Sequence, residues 1–362
     1  MMIVPVRGER RRAAWLILAL LCLSMGLPAY SEPAQDRSPQ GRPGPEQAGP
    51  GQEGQTPAQD TPVRPGPSPE SRIVFIPESP RPGEPLTIGF VPAEGSNAEY
   101  PNLRAALINA QGQRLSRAPF FTLTVDALGR PVAAAVLAVP STARSGAALI
   151  RVEEGTTLIG EVPLTIAGRD FASEEILLDQ NNTDIRTLPD PQKTAESEAL
   201  WAIISHTGKD IYAAGPFTAP VGSTRRTSFF GDRRVYRYVN GKSDTSIHAG
   251  VDYGVPRGTP VRACAPGRVV LARFRIVTGN SVILEHLPGV YSIYYHLDTI
   301  AVTEETLVDT GTLLGESGST GLSTGPHLHW EIRVAGENAD PDAFLSRPIL
   351  DKEAILGKMN EL

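Results

Sequence analysis

The chain has 362 residues, 40% hydrophobic, with 34 basic against 40 acidic side chains. That length allows two domains plus linkers, and a formal charge of −6 argues against a general nucleic-acid binder. There are two cysteines, Cys22 and Cys264, and six histidines. Cys22 falls in an N-terminal apolar run, so the mature chain has no internal disulfide and no thiolate cluster for a structural zinc. A metal would have to be held by imidazole and carboxylate.

Residues 1–31 read as an export signal. Arg7, Arg10, Arg11 and Arg12 form a basic front, and Ala13 to Leu27 is apolar but short of the ~20 residues of a comfortable membrane span. Ala29-Tyr30-Ser31 places small residues where a signal peptidase would cut. The expected location is therefore the periplasm, cell envelope or exterior. The membrane would be a partner only if the segment stays attached. Residues 32–71 hold ten prolines and six glycines, no aromatic residue, and Val63 as the one aliphatic side chain larger than alanine. Such a segment cannot bury enough surface to offset its ordering entropy, and is read as a disordered tether. Its reach is roughly 35 Å as a coil and about 120 Å extended.

Residues 72–168 show short apolar or alternating runs: Ile73–Ile76, Leu86–Val91, Leu103–Ile108, Phe120–Val125, Val132–Val139, Ala147–Val152 and Leu158–Ile166. Turn signals such as Pro82-Gly83 and Gln111-Gly112 separate several of them. Seven short strands at this spacing predict an immunoglobulin-like β-sandwich. It contains no histidine, so it is either a positioning module or a spacer. Residues 169–215 form a connector with one helix, capped by Asp190, begun by Pro191 and stopped near Thr207-Gly208. His206, at the helix end, is read as a surface or capping residue.

Residues 216–347 again alternate strand and glycine turn, with no long amphipathic helix: Pro260–Ala263, Arg268–Phe274, Ser281–His286, Val290–His296, Leu313-Leu314 and His327–Val334. This predicts an antiparallel β domain, and the chain as a whole as mainly β. Residues 348–362 are left as a C-terminal tail. Cys264 is read as a small core residue and His286 as supporting structure. Six basic residues between Arg225 and Lys242 face a single acid, Asp232. They are either a rim that attracts carboxylates or a solvated loop.

The last strand carries the chemistry. Leu328, Trp330, Ile332 and Val334 point one way, and His327, His329, Glu331 and Arg333 the other. Two imidazoles on one open face are poor core design. His248 and Asp252, four apart and expected on one strand face, and His296 look placed to join them. Imidazole nitrogens with a carboxylate oxygen, three protein groups in all, suit catalytic zinc with a fourth position left to water. Two spare histidines would remain to move protons. Glu331 could accept from a ligand's second N–H, or stand on an exposed rim.

His248-Ala-Gly-Val-Asp252, Tyr294-Tyr-His296-Leu and Gly325-Pro-His327-Leu-His329 resemble, in order and spacing, the three motifs of the lysostaphin-type (LytM-like) zinc endopeptidases of bacterial cell walls. The resemblance covers roughly residues 216–345. It implies that His248, Asp252 and His329 ligate one Zn2+, and that His296 and His327 flank the bound water and the scissile amide. One would help generate the nucleophile, and the other would stabilise the oxyanion or protonate the leaving amine. It implies hydrolysis of stem or cross-bridge peptides of peptidoglycan, on a small antiparallel domain with a groove across its sheet. Some relatives of that family are non-catalytic wall-binding or amidase-activating proteins; this chain keeps all five positions.

Overall fold

The computed structural model describes residues 71–93, 102–126 and 129–361. The expected signal and all but the last residue of the expected tether lie outside them. Among the described residues no helix is long and apolar enough to cross a membrane.

Eight strands open the fold: β1 (Arg72–Ile76), β2 (Pro85–Val91), β3 (Leu103–Asn109), β4 (Arg114–Pro119), β5 (Phe121–Val125), β6 (Pro131–Ala138), β7 (Gly146–Glu154) and β8 (Thr157–Ile166). They make two four-stranded antiparallel sheets, ordered β1-β2-β6-β5 and β4-β3-β7-β8. Leu86, Ile88, Phe90 and Leu137 of the first meet Leu103, Leu107, Ile150 and Val152 of the second in one apolar core. The strand missed in the sequence is β4. Its Arg-Leu-Ser-Arg-Ala-Pro run carries no apolar signal, and its hairpin with β3 supplies the pairing instead.

The continuous apolar text of β2 and β6 has a physical reason. A strand reads that way when both of its faces are covered. The outward residues Val74, Val91, Val132, Ala134 and Val136 belong to a second core, shared with Trp330, Ile332 and Val334 of the C-terminal domain. The expected tail contributes to it as well. Lys352–Asn360 is a helix, capped by Asp351, that buries Ile355 and Met359.

The connector holds more than one helix. A strand, β9 (Ser173–Leu177), precedes helices Gln180–Thr187 and Pro191–Ile204. Asp179 and Asp190 cap these helices, accepting from the backbone N–H of Asn182 and Gln192. The first helix, Gln-Asn-Asn-Thr-Asp-Ile-Arg-Thr, has no apolar periodicity to announce it.

Twelve strands follow: β10 (Arg226–Ser228), β11 (Arg233–Arg237), β12 (Ser243–Ile247), β13 (Gly250–Tyr253), β14 (Pro260–Arg262), β15 (Gly267–Arg275), β16 (Gly279–Leu287), β17 (Val290–Ile300), β18 (Leu307–Val308), β19 (Leu313–Ser317), β20 (Leu328–Val334) and β21 (Glu337–Ala339). The main sheet runs β10-β13-β20-β17-β16-β15-β18, with β14, β19 and β21 attached. A separate sheet, β12-β11-β9, stands beside it, and its β9–β11 pair is parallel.

Strand β20 splits its side chains as the alternation requires. Leu328, Trp330, Ile332 and Val334 enter the shared core. The opposite face, expected to be open, is buried too: His329, Glu331 and Arg333 are each less than a tenth exposed. Helix Pro191–Ile204 lays Leu200 and Ile204 on Leu271, Ile283, Tyr291, Ile293 and Tyr295, which line this same side of the sheet. The polar face of β20 therefore lies at one end of a covered surface.

Candidate metal centre

Strand pairing assembles the centre. Asp252 on β13 stands directly opposite His329 on β20, and His329 stands opposite Tyr295 on β17. Gly250 permits the first pairing to be close, because a Cβ there would lie 2.1 Å from the carbonyl oxygen of Trp330. His248 does not share a strand with Asp252 as expected. It sits in the two-residue break between β12 and β13, where the chain passes from the three-stranded sheet to the main one. The break turns its imidazole back toward Asp252.

His248 Nε2, Asp252 Oδ1 and His329 Nδ1 form a triangle with sides of 3.2, 2.7 and 3.0 Å. Among the described residues this is the one group of His, Cys, Asp or Glu side chains placed to hold a metal ion. The remaining nitrogen of each ring has a partner that fixes its proton. His248 Nδ1 lies 2.8 Å from the Phe229 carbonyl oxygen and donates to it. His329 Nε2 lies 2.9 Å from Glu331 Oε1 and donates there. When both rings are neutral, the nitrogens facing the triangle are lone pairs, next to a carboxylate oxygen. Three acceptors this close repel one another unless a cation or a shared proton lies among them. Tetrahedral zinc with bonds of 2.0–2.1 Å spaces its ligands about 3.3 Å apart. The triangle is close to one face of such a tetrahedron, so the residues fit the metal.

Without an ion the neighbouring carboxylates favour a second proton on His329, at Nδ1 facing Asp252 Oδ1, and a metal ion in the triangle would take that proton's place. Burial disfavours a charge on His329, but Asp252 and then Glu331 outweigh it and hold its pKa up at about 9. Burial would raise the Asp252 carboxyl, yet His248 and His329 keep it well below its ordinary value. Glu331 is buried rather than on a rim. It accepts from Arg333 Nε at 2.8 Å as well as from His329, and these partners overcome burial to bring it to about 2. The ring of Tyr295 stacks on His329 with 5.6 Å between centroids and 7° between planes.

His327 and His296 complete the cluster from outside the triangle. His327 lies just before β20, held by a bridge to Gly318. Its Nδ1 donates to the Gly325 carbonyl at 2.8 Å, and its Nε2 lies 3.9 Å from Asp252 Oδ1. His296 donates from Nδ1 to the Thr320 carbonyl at 2.7 Å. The two rings are 4.7 Å apart, and His296 is 6.2 Å from the His329 ring. Burial lowers the pKa of both, His296 to about 3 with help from His327 and His329. Both are neutral near pH 7, each with a free Nε2.

Strict alternation would not have placed His296 here. It would follow Tyr294, which is fully buried in the shared core. Strand β17 carries a bulge at this point: Ser281 of β16 faces two residues, Tyr295 and His296. His296 takes a φ of +62°, left-handed for a non-glycine residue. A bulge beside a site re-aims a side chain, and the conformation costs roughly 1–3 kcal/mol. The kink also lets β17 change partner, from β20 before His296 to β19 after it.

The surroundings bring two further findings. The basic run is largely engaged by the fold rather than displayed: Arg226 pairs with Asp342, Arg237 with Glu175, Arg234 with Glu174 and Asp252, and Arg233 donates to the Ser141 carbonyl. Helix Gln180–Thr187 joins the two sides of the centre. Arg186 reaches Asp244 on the β11–β12 hairpin. Asn182 Nδ2 donates at 3.1 Å to the Ser323 carbonyl, in the loop that carries His327. His286 belongs elsewhere. Its Nδ1 is bound to the Pro266 carbonyl and its Nε2 lies 2.7 Å from Ser292 Oγ. Cys264 is buried, and burial pushes its thiol up to about 11, so it is no nucleophile. His206 is exposed.

Fold and site together define a candidate metal-binding domain, an antiparallel sheet with a His-Asp-His triangle and two neutral imidazoles beside it. Residues 246–341 match the model of peptidase family M23, so this stretch of the chain is a domain of that family. It is 39% identical over 135 residues to the DD-carboxypeptidase/endopeptidase Mpg of Neisseria meningitidis serogroup B, covering 37% of this chain and 30% of that protein. It is 38% identical over 118 residues to the peptidoglycan DD-endopeptidase ShyA of Vibrio cholerae, covering 32% and 27%. Thus the matched stretch spans less than a third of those relatives' own length. Among solved structures, the catalytic domain of lysostaphin from Staphylococcus simulans is 33% identical, covering 33% of this chain and 91% of that one, with a TM-score of 0.29.

Proposed function

We propose that the protein is an exported, zinc-dependent endopeptidase that hydrolyses peptide bonds in the stem or cross-bridge peptides of peptidoglycan. The observation that carries the reading is the triangle, whose two imidazoles have their outer nitrogens engaged as donors and their inner nitrogens turned to a common point, and whose third corner is a carboxylate. Relatives named as peptidoglycan DD-endopeptidases support the substrate class. His248, Asp252 and His329 would hold the ion. Zinc so held supplies a Lewis acid for the scissile carbonyl and lowers the pKa of a bound water to about 7.

The remaining chemistry belongs to this chain's own side chains. Asp252 supplies negative charge at Oδ1, while Glu331 and the Phe229 carbonyl keep the two ring tautomers fixed. His296 and His327 each present an unprotonated Nε2 beside the triangle. One takes the proton of the attacking water at Nε2 and, as the imidazolium so formed, can hand that proton to the leaving amine. The other could hydrogen-bond the developing oxyanion only after taking up a proton at its own Nε2. Their pKa values, lowered by burial, keep both rings unprotonated at neutral pH. The strand order of the N-terminal sandwich supports reading it as immunoglobulin-like, and its shared core with the sheet supports a positioning role. An export signal at residues 1–31 and a tether at 32–71 suit an enzyme of the periplasm or cell envelope.

The test is mass spectrometry of fragments released from purified peptidoglycan, with and without chelator. Metal-dependent release of peptides cut at an amide bond is expected. Release that survives removal of metal, or none by a protein shown to hold zinc, would defeat the proposal. The second outcome would favour a non-catalytic wall-binding or amidase-activating role.

A further inference from the structure

The partners of the triangle do not all come from the family-matched stretch. We propose that Glu174, on connector strand β9, is a positioning residue for the metal centre, acting through Arg234 on Asp252 and through Ser228 on His248. This rests on the metal-centre reading given above.

The geometry is direct. Strand β9 pairs in parallel with β11, and Glu174 stands in register with Arg234. Arg234 is clamped at both ends of its fork. Its Nε donates to Glu174 Oε1 at 2.5 Å, and its Nη2 donates to Asp252 Oδ2 at 2.6 Å. That second bond leaves Asp252 Oδ1 as the oxygen that faces the two histidines. The same Glu174 oxygen accepts from Ser228 Oγ at 2.8 Å. Ser228 Oγ in turn lies 3.2 Å from Nδ1 of His248 and 3.3 Å from Asp232 Oδ2. A single carboxylate thus stands one residue away from two of the three proposed ligands.

The physical consequence follows from the guanidinium. It is planar, permanently charged and mostly covered at this site, so its orientation is set by the anions at its two edges. With Glu174 in place its charge is shared, and Asp252 keeps electron density for a cation at Oδ1. Without Glu174 the whole charge falls on Asp252. The carboxylate is then drawn toward Arg234 and becomes a poorer and less well-oriented ligand. Loss of an outer partner of this kind costs roughly 10–100-fold in metal affinity. Glu175, the next residue on β9, provides the control. It pairs with Arg237 on the solvent side and has no link to the triangle.

The experiment uses the full chain. Zinc affinity is measured by competition with a chelating dye, and the visible spectrum of the Co2+-substituted protein is recorded, for wild type, Glu174→Gln and Glu175→Gln. E174Q should bind zinc about 10–100-fold more weakly with a shifted cobalt band. E175Q should match wild type in both. Equal affinity and an unchanged cobalt spectrum in a folded E174Q would overturn the role of Glu174 and leave the metal centre standing. A wild-type protein that takes up neither ion would overturn the centre itself. Should E174Q fail to fold, Glu174→Asp decides: its shortened reach toward Arg234 should give an intermediate loss, and wild-type affinity would overturn the proposal.

Discussion

The two β regions of this chain bury very different things. Among the described residues of the sandwich the buried polar side chains are Thr87 and Ser116. The C-terminal domain buries His248, Asp252, Arg275, Glu285, His286, His296, His329, Glu331 and Arg333. Both regions are antiparallel sheets with cores of valine, leucine, isoleucine and alanine, so strand physics does not account for the difference. Burying charges is costly unless each has a partner, and here His329, Glu331 and Arg333 form a paired line along one strand. One region has been optimised for packing, whereas the other accepts desolvation and a left-handed histidine to hold a constellation of donors. That contrast points to the same region as the proposed metal centre without reference to any relative.

The sharpest way to break the contrast is at a corner of the triangle. Asp252→Asn removes the one anionic corner and reverses the donor pattern facing His329. Zinc content should fall to near nothing, and peptide release from peptidoglycan should drop to the level of the chelated protein. An Asp252→Asn protein that keeps stoichiometric metal would mean the triangle is not the binding site. His296→Ala and His327→Ala should behave differently. Each removes a group of the kind that contributes roughly 100–10,000-fold to a rate, so release should fall by that order while zinc content stays at wild-type level. Single-turnover assays beside metal analysis would separate the two classes.

Much of this site was legible in the sequence, for a definable reason. A His-x-His pair on an alternating strand conflicts with core design, and the conflict shows in the letters 327–334. Asp252 and His248 were visible as candidates, but their local geometry was misjudged. The break after Ile247, which takes His248 off the strand, carries no signal beyond the glycine at position 250. The bulge at His296 was invisible, since no glycine marks it. Glu174 could not have been found at all. It lies 78 residues before Asp252, and only the β9–β11 pairing, between two strands with no apolar periodicity, brings it near. The burial of the polar face of β20 was missed similarly. The helix that covers this side of the sheet was expected as an element, but nothing in its sequence says which surface it packs on.

A mutation in the sandwich should change a different quantity. Leu107→Ala deletes a fully buried side chain from the sandwich core. Substitutions of this type cost about 2–5 kcal/mol. The urea midpoint should fall accordingly, while zinc affinity of the folded protein stays within a factor of two or so of wild type. Weakened zinc binding in proportion to the lost stability would show that the shared core couples the two regions more tightly than their separate polar inventories suggest.

The smallest effect concerns a buried histidine that serves the fold alone. Burial holds the pKa of His286 down at about 4, opposed only by its bond to the Pro266 carbonyl. In the unfolded chain the value returns to about 6.5. Between those limits the unfolded state binds the extra proton, so stability rises with pH. The contribution is complete above pH ~6.5 and is lost as pH falls toward ~4, reaching up to ~3 kcal/mol. Urea midpoints of wild type and His286→Gln, both with chelator present so that metal release does not contribute, should converge as pH drops from 7 to 4. Wild type should have the steeper loss. Parallel curves would mean that His286 is as readily protonated in the core as in water. The buried imidazoles of this domain would then have to be divided differently between scaffold and chemistry.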